Sequence, residues 1–508
     1  MTPVNALIFG LGLFFLGLRM VGECLRRLAG PGFREVIKRT AHKPVLTAGL
    51  GVGVGALMQS ATAVTFIMVS MTGSGLIKSR AAAPLIIWCN VGLTALAFLT
   101  TLNIHPLVAY LVGGAGIALG TIKIPYWQSV AGALLGVGLI LCGLEEMGAG
   151  AAPLKDAPWF QHAISYALAA PPLTFLAGVA AAMLLQSNTG AAMLTITFAT
   201  TGVVDLSQAM LLIYGSNLGA IALRAFLASG LEGEQLRLVR LEDLFCVASG
   251  LVMVTLYALE AAGLPLVGAL VGKLSSPLAT KLAVVFLLSN LLPALVVSTF
   301  LKPCRKLLEK LWPDRPSTKS PSTPLYIQPQ ALLDPPSALD LLQKELAHLL
   351  SLVAISRKAG TEEDPPPLGF QKLSNAVEEF AAKLGATNAL TEAMAGRLHL
   401  LRAELSIIRH VEEGVRYFSQ AVIRQSGSPP LVQALQDLLA LAVEAAREGS
   451  PDTILKLRQD TKLKGERMSS LQQQADTTSL SATALYEDFS IAVWTLHRLA
   501  KILGRLKE

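Results

Sequence analysis

At 508 residues, 52% hydrophobic and only 15% charged, with a mean hydropathy of +0.54, the chain is too apolar for an ordinary soluble protein and reads as a membrane protein. Its net charge of +7 does not indicate nucleic acid, because the basic residues flank apolar runs, where positive charge sets topology. The five cysteines (Cys24, Cys89, Cys142, Cys246, Cys304) are isolated, odd in number and mostly inside apolar runs, which gives neither a disulfide framework nor a metal spacing.

The first apolar run, 4–25, has no basic residue ahead of it and no small-residue cleavage site. Arg26, Arg27, Arg34, Lys38, Arg39 and Lys43 come after it, so it is predicted to be a retained span. Further spans are predicted over 81–102, 106–122, 128–150, 206–228, 244–262 and 282–301, with Lys302, Arg305, Lys306 and Lys310 following the last. Each is close to the roughly 20 residues that a helix needs to cross the hydrocarbon.

Two other stretches, 45–76 and 171–203, each hold a polar string: Gln59-Ser60-Ala61-Thr62 and Gln186-Ser187-Asn188-Thr189. An Asn-x-Gly follows each at the same distance, Asn90-Val91-Gly92 and Asn217-Leu218-Gly219, so both features recur at an offset of 127 residues. Polar clusters in apolar segments are costly unless they bind something or find partners. The same cluster occurring twice points to paired half-sites, the signature of a secondary transporter.

Lys43 precedes the first stretch, and Lys78 and Arg80 follow it. With both ends on the cytoplasmic side, the segment crosses an even number of times, yet it is too short for two full helices. It is predicted to be a re-entrant hairpin with Gln59-Ser60 near its tip, and Gly49, Gly51, Gly53 and Gly55 suit close helix packing there. The second copy is flanked by Lys155-Asp156 and Asp205, with no basic cluster, and three predicted crossings separate the hairpins. The second repeat is therefore expected upside down, with repeats of about 5–126 and 130–301 in a membrane domain of 1–311. Gly12, Gly17 and Leu18 match Gly138, Gly143 and Leu144 at an offset of 126, and Gly75 and Ala82 match Gly202 and Ala209 at 127.

Residues 312–337 are rich in Pro, Ser and Thr, which predicts a semi-stiff linker. Beyond it the apolar spacing turns helical. Leu339, Leu342, Leu346, Leu349 and Val353 mark one amphipathic face, Leu401, Leu405, Ile408, Val415 and Phe418 a second, and Phe489, Val493, Leu496, Ala500 and Leu503 a third. With breaks at 365–367, 427–430 and 449–451, residues 338–508 are predicted to form a soluble bundle of about five helices. The fold class is all-α: a polytopic membrane domain of inverted repeats with re-entrant hairpins, plus this bundle.

Gln, Ser and Thr offer oxygens, and a broken helix adds unpaired N–H groups and carbonyls. Sodium takes the oxygens, and an anion takes N–H donors at a helix N-terminus. At this point the paired strings and the later Asn-x-Gly resemble the type II sodium–phosphate cotransporter family, whose repeats carry a Gln-Ser-Ser-Ser motif in re-entrant hairpins. The resemblance covers about residues 5–300. It implies that Gln59, Ser60 and Thr62, with Gln186, Ser187, Asn188 and Thr189, line a substrate and ion site, joined by Asn90 and Asn217. It further implies inorganic phosphate as substrate, sodium as coupling ion with no other cofactor, and a multi-pass protein of the cytoplasmic membrane. Bacterial members often append a cytoplasmic PhoU-like domain, which the region after Pro336 is similar to in length and pattern. A homo-oligomer or a cytoplasmic regulatory partner is compatible with that arrangement, and the lipid bilayer is the immediate surrounding.

The chain departs from the family where the middle serine is Ala61 in one repeat and Asn188 in the other. Asn-x-Gly is followed by Leu93-Thr94 and Ala220-Ile221 rather than by threonines. Arg19 and Glu23, one turn apart, are expected to pair or to snorkel near the inner end of the first helix, and Arg224 is expected to snorkel toward the inner surface. In the bundle, His410, Glu412 and Glu413 read as a solvated face. No nucleophile–base pairing or phosphate loop points to an enzyme. Two alternatives stay open: a transporter of another anion on the same scaffold, and a membrane-anchored regulatory protein acting through its bundle.

Overall fold

The alternation of apolar runs and short polar gaps becomes helix throughout, and no strand occurs among the described residues of the computed structural model. It describes residues 2–40, 43–73, 75–99, 101, 108–167, 170–274, 276–313, 323–358, 366–387, 390–424, 429–474 and 480–507. The chain divides into two compact units, Met1–Arg315 and Pro316–Glu508.

In the first unit, α1 (Pro3–Thr40) leads into two short helices, α2 (Pro44–Met58) and α3 (Ala61–Gly73), then α4 (Ser79–Leu93) and α5 (Ala95–Leu99). A π-helical segment (Tyr110–Gly114) and α6 (Ala115–Thr121) precede α7 (Pro125–Leu154) and α8 (Pro158–Ala167). The next short pair is α9 (Pro171–Leu185) and α10 (Asn188–Thr200), followed by α11 (Leu206–Leu227), α12 (Gly233–Ala261), α13 (Val267–Gly272), α14 (Leu278–Thr299) and α15 (Leu301–Leu311). Proline opens α2, α7 and α9, where its missing N–H costs nothing. A capping box between Asp205 and Gln208 opens α11.

Among the described residues six helical stretches are long and apolar enough to span a bilayer: Pro3–Leu25, Ser79–Leu99, Tyr126–Pro153, Leu206–Leu227, Gly233–Ala261 and Leu278–Thr299. The chain is a multi-pass membrane protein. Of the span predicted over 106–122, the described residues give an apolar helix over Tyr110–Thr121; residues 102–107 lie outside the described residues.

The helix boundaries themselves repeat. Helices α2, α3 and α4 start at 44, 61 and 79, and α9, α10 and α11 start at 171, 188 and 206, an offset of 127 each time. Glycines bring the backbones together in matched places. A Cβ on Gly51 would meet the Leu85 carbonyl at 2.7 Å, and one on Gly178 would run into the carbonyl of Leu212, the corresponding residue. Helices α1 and α7 pack antiparallel along a glycine seam that sets Gly10 against Gly143, Gly17 against Gly136 and Gly150 against Pro3.

The second unit holds six helices among the described residues, where about five were expected: α16 (Pro335–Lys358), α17 (Pro366–Gly385), α18 (Glu392–Arg424), α19 (Pro429–Glu448), α20 (Pro451–Gln474) and α21 (Leu480–Arg505). All fifteen apolar positions singled out in the sequence are buried in one core. Of the expected 312–337 linker, residues 314–322 lie outside the described residues, and its end is tied down. The buried carboxylate of Glu345 accepts from the N–H groups of Leu325, Tyr326 and Ile327 and lies 2.8 Å from His348 Nδ1.

Candidate functional site

Each short helix pair breaks at its glutamine. Gln59 (φ 49°) and Gln186 (φ 52°) are the only non-glycine residues with positive φ among the described residues, and each ends the first helix of its pair. A left-handed residue with a Cβ costs about 1–2 kcal/mol, so neighbouring bonds must hold it. The Gln59 N–H donates to Gly55 O at 2.9 Å and its side-chain Nε2 to Ala56 O at 2.9 Å. Its other end, Oε1, is buried with no hydrogen-bond partner. Gln59 is 7% exposed, whereas Gln186 is exposed.

The serine that follows caps the second helix. Ser60 Oγ accepts from Ala63 N at 3.2 Å and Ser187 Oγ from Gly190 N at 3.0 Å, the ordinary N-cap bond. Both α3 and α10 therefore begin at the break and present there the positive end of a helix of 13 residues. Thr62 is half-buried in the first turn of α3, and Thr189 is fully buried in that of α10, with its Oγ1 unpartnered.

The second repeat gathers its polar residues. Asn188 Oδ1 accepts from Thr189 N at 2.9 Å, and its Nδ2 donates to Asn217 Oδ1 at 3.2 Å. Asn217 in turn donates to Ser249 Oγ at 2.8 Å and reaches Ser289 O at 3.4 Å, while Ser249 Oγ donates to Ser289 O at 2.7 Å. Beside them Asn290 is fully buried and its Oδ1 has no partner. The carbonyl oxygen of Asn188, which stands where the family has a serine, is engaged by Thr189 N. Ser249, Ser289 and Asn290 are additions that sequence reasoning missed, because single serines and asparagines are common in membrane helices and only packing selects these.

In the first repeat the asparagine goes elsewhere. Asn90, 1% exposed, donates to Glu242 Oε2 at 3.0 Å. Glu242 and Ser249 sit two turns apart on α12, so this one helix takes up the Asn-x-Gly asparagine of both repeats. No hydrogen bond among the described residues joins the first polar string to the second.

Arg224 does not snorkel. It is 1% exposed, with Nε 2.9 Å from Asp243 Oδ1, Nη2 2.9 Å from Cys246 Sγ and Nη1 3.8 Å from the fully buried Glu242. Arg240 completes the group at 2.9 Å from Asp243 Oδ2. Two arginines and two carboxylates thus balance in charge, which is how ionised groups persist at such depth. The expected Arg19–Glu23 pair is present at 2.7 Å on the surface of α1.

A membrane unit of two matched halves, each with a helix broken at Gln-Ser, is the build of a secondary transporter. The Na+/Pi-cotransporter family model matches residues 13–149 and 157–274, together half of the chain, and the chain belongs to that family. It is 27% identical over 356 residues to the Escherichia coli (strain K12) protein named "Putative inorganic phosphate export protein YjbB", an alignment that takes in 69% of this chain and 63% of that protein. The protein of the same name from Salmonella typhimurium is 25% identical over the same length. The uncharacterized protein YqeW of Bacillus subtilis is 23% identical over 226 residues, 44% of this chain and 73% of that one. The chain thus spans under two thirds of the YjbB relatives' length. No solved structure matches it.

Proposed function

We propose that the chain moves inorganic phosphate across the cytoplasmic membrane by alternating access, with sodium as the coupling ion. The observation that carries this reading is the pair of breaks at Gln59 and Gln186, alike in backbone conformation and each followed by a serine-capped helix N-terminus. N–H groups and dipole ends suit the phosphate. Buried oxygens without partners, Gln59 Oε1, Thr189 Oγ1 and Asn290 Oδ1, suit a hard cation beside it. On this reading Ser60, Thr62, Asn90, Gln186, Ser187, Asn188 and Asn217 complete the lining, and the short pairs α2–α3 and α9–α10 are re-entrant hairpins.

An inverted relation between the repeats is supported by the α1–α7 seam. Under the offset of 126, Gly10 maps to Gly136 and Gly17 to Gly143, so the contact of Gly10 with Gly143 maps onto that of Gly136 with Gly17. A pair of contacts exchanged in this way between antiparallel helices fits a two-fold axis perpendicular to both, which lies in the membrane plane if both helices span. The basic residues at 78–80 and 302–310 then lie in the cytoplasm together with a PhoU-like second unit. The relatives' name speaks of export; here direction follows the sodium and phosphate gradients.

Labelled-phosphate flux in proteoliposomes, measured with and without a sodium gradient, tests the reading. Phosphate flux driven by sodium is the expected result. Flux of another anion in preference to phosphate, or none, would sink it.

A further inference from the structure

Among the described helices, α15 (Leu301–Leu311) is the most sharply divided into faces, and it follows the last span directly after a break at Phe300. One face is committed to the protein. Leu301, Cys304, Leu308 and Trp312, spaced by three and four residues, join or pack against a core that includes Ala83 of α4 and Leu241 of α12. The far end is pinned too: the Trp312 carbonyl accepts from Arg237 Nη1 at 3.2 Å, and the Arg240 guanidinium lies 5.5 Å over the Trp312 ring. The spans of α4 and α12 begin at Ser79 and Gly233, and the span ahead of α15 ends at Thr299. This helix is therefore held where three spans end, at the edge of the hydrocarbon.

The rest of its surface is open and falls into two stripes. Lys302, Lys306 and Lys310 recur every four residues, are exposed, and have no hydrogen-bond or ion-pair partner among the described residues. Between them and the buried face run Phe300, Leu307 and Leu311, at 56%, 47% and 56% exposure. The one acid on the helix, Glu309, stands 3.9 Å from Arg305 and does not reach the lysines. An apolar stripe beside a cationic one is the pattern of a helix lying in a headgroup layer: the apolar residues enter the acyl border and the lysines stay among the headgroups.

We propose that α15 is an interfacial helix that gathers anionic phospholipid, with Lys302, Lys306 and Lys310 on the headgroups and Phe300, Leu307 and Leu311 against the acyl chains. Two observations choose this occupant. The helix is continuous with a span, so the bilayer is the surface it meets first. The two stripes are also adjacent, and a soluble anion would engage the lysines while leaving the apolar stripe in water. Three lysines without acid partners favour an anionic headgroup over a zwitterionic one. Because both ends of the helix are fixed to the protein, little ordering opposes binding. None of the residues proposed to line the transport site lies on α15, so this surface stands or falls apart from the transport reading.

The test reads lipid at this helix alone. The full-length chain, with its native cysteines replaced and a fluorescent donor on Leu307→Cys, is reconstituted in phosphatidylcholine vesicles. These carry a trace of acyl-labelled acceptor lipid, either phosphatidylglycerol or phosphatidylcholine. Energy transfer should show a severalfold excess of phosphatidylglycerol near the donor, and added salt should shrink it. Lys302→Gln, Lys306→Gln and Lys310→Gln should each cut the excess by about twofold to fivefold, and the three together should remove it. Lys306→Arg should keep it, and Glu309→Gln should raise it, a gain that misfolding cannot produce. Equal transfer to both lipids, or an excess that survives loss of all three lysines, overturns the proposal. So does a donor that neither lipid approaches, which would mean that another part of the chain covers the stripe.

Discussion

At Gln59 and Gln186 the backbone and the side chain make separate demands, and a pair of substitutions pulls them apart. Glycine adopts positive φ without strain, so Gln59→Gly should be more stable than Gln59→Ala by about 1 kcal/mol. Both should nevertheless abolish phosphate flux, because each removes the side chain. Melting temperature and flux of the two variants check this; flux surviving in Gln59→Gly would reduce the residue to a helix breaker. A second residue tests the bundle. Glu404 in α18 is 1% exposed, its Oε2 has no partner, and burial pushes its carboxyl up to about 8. The folded state therefore holds this proton more tightly than the unfolded chain. Its stabilising effect is complete below about pH 4.5 and is lost as pH rises through about 8. Glu404→Gln should flatten that fall, by on the order of 3 kcal/mol between pH 5 and pH 8. Thermal unfolding of the second unit's transition across that range is the measurement, and an unchanged slope would place the buried proton elsewhere.

For whole elements, packing decides which glycines and charges can change. A methyl on Gly178 has to displace the Leu212 carbonyl of α11, whereas one on Gly49 meets nothing within 4 Å. Gly178→Ala should destabilise the α9–α11 pair by about 1–3 kcal/mol and lower the yield of folded protein, and Gly49→Ala should do neither. Arg224→Ala leaves Glu242 and Asp243 buried without their main counter-charge, at a cost of about 3–5 kcal/mol. Arg224→Ala combined with Asp243→Asn should recover part of that loss in a detergent melting assay. No recovery would mean that the pair is not the reason Arg224 is buried. The spans, the break positions and the buried faces of the bundle were legible in the sequence because they rest on local rules: apolar length, a polar string in an apolar run, a period of 3.6. Arg224 was not, since a lone arginine in an apolar helix reads as surface-seeking until α12 is folded against it. Asn90 and Asn217 could be named as a pair from their spacing, but their different partners, Glu242 and Ser249, depend on which face α12 turns to each repeat. The bundle's six helices, where about five were expected, show the limit of counting elements by proline and glycine breaks alone.

Across the whole molecule, the proposed transport requires the two broken helix pairs to act as halves of one phosphate site. Single cysteines at Ser60 and Ser187, in a background with the five native cysteines replaced, report on both tips at once. The rate at which a water-soluble maleimide modifies each in proteoliposomes is measured with sodium phosphate, with potassium phosphate and with a sodium salt of an unrelated anion. Phosphate should slow modification severalfold at both positions, more in sodium than in potassium, and the unrelated anion should leave both rates unchanged. Phosphate protection at only one tip, or at neither while labelled phosphate still crosses the membrane, would contradict a site shared by the two repeats.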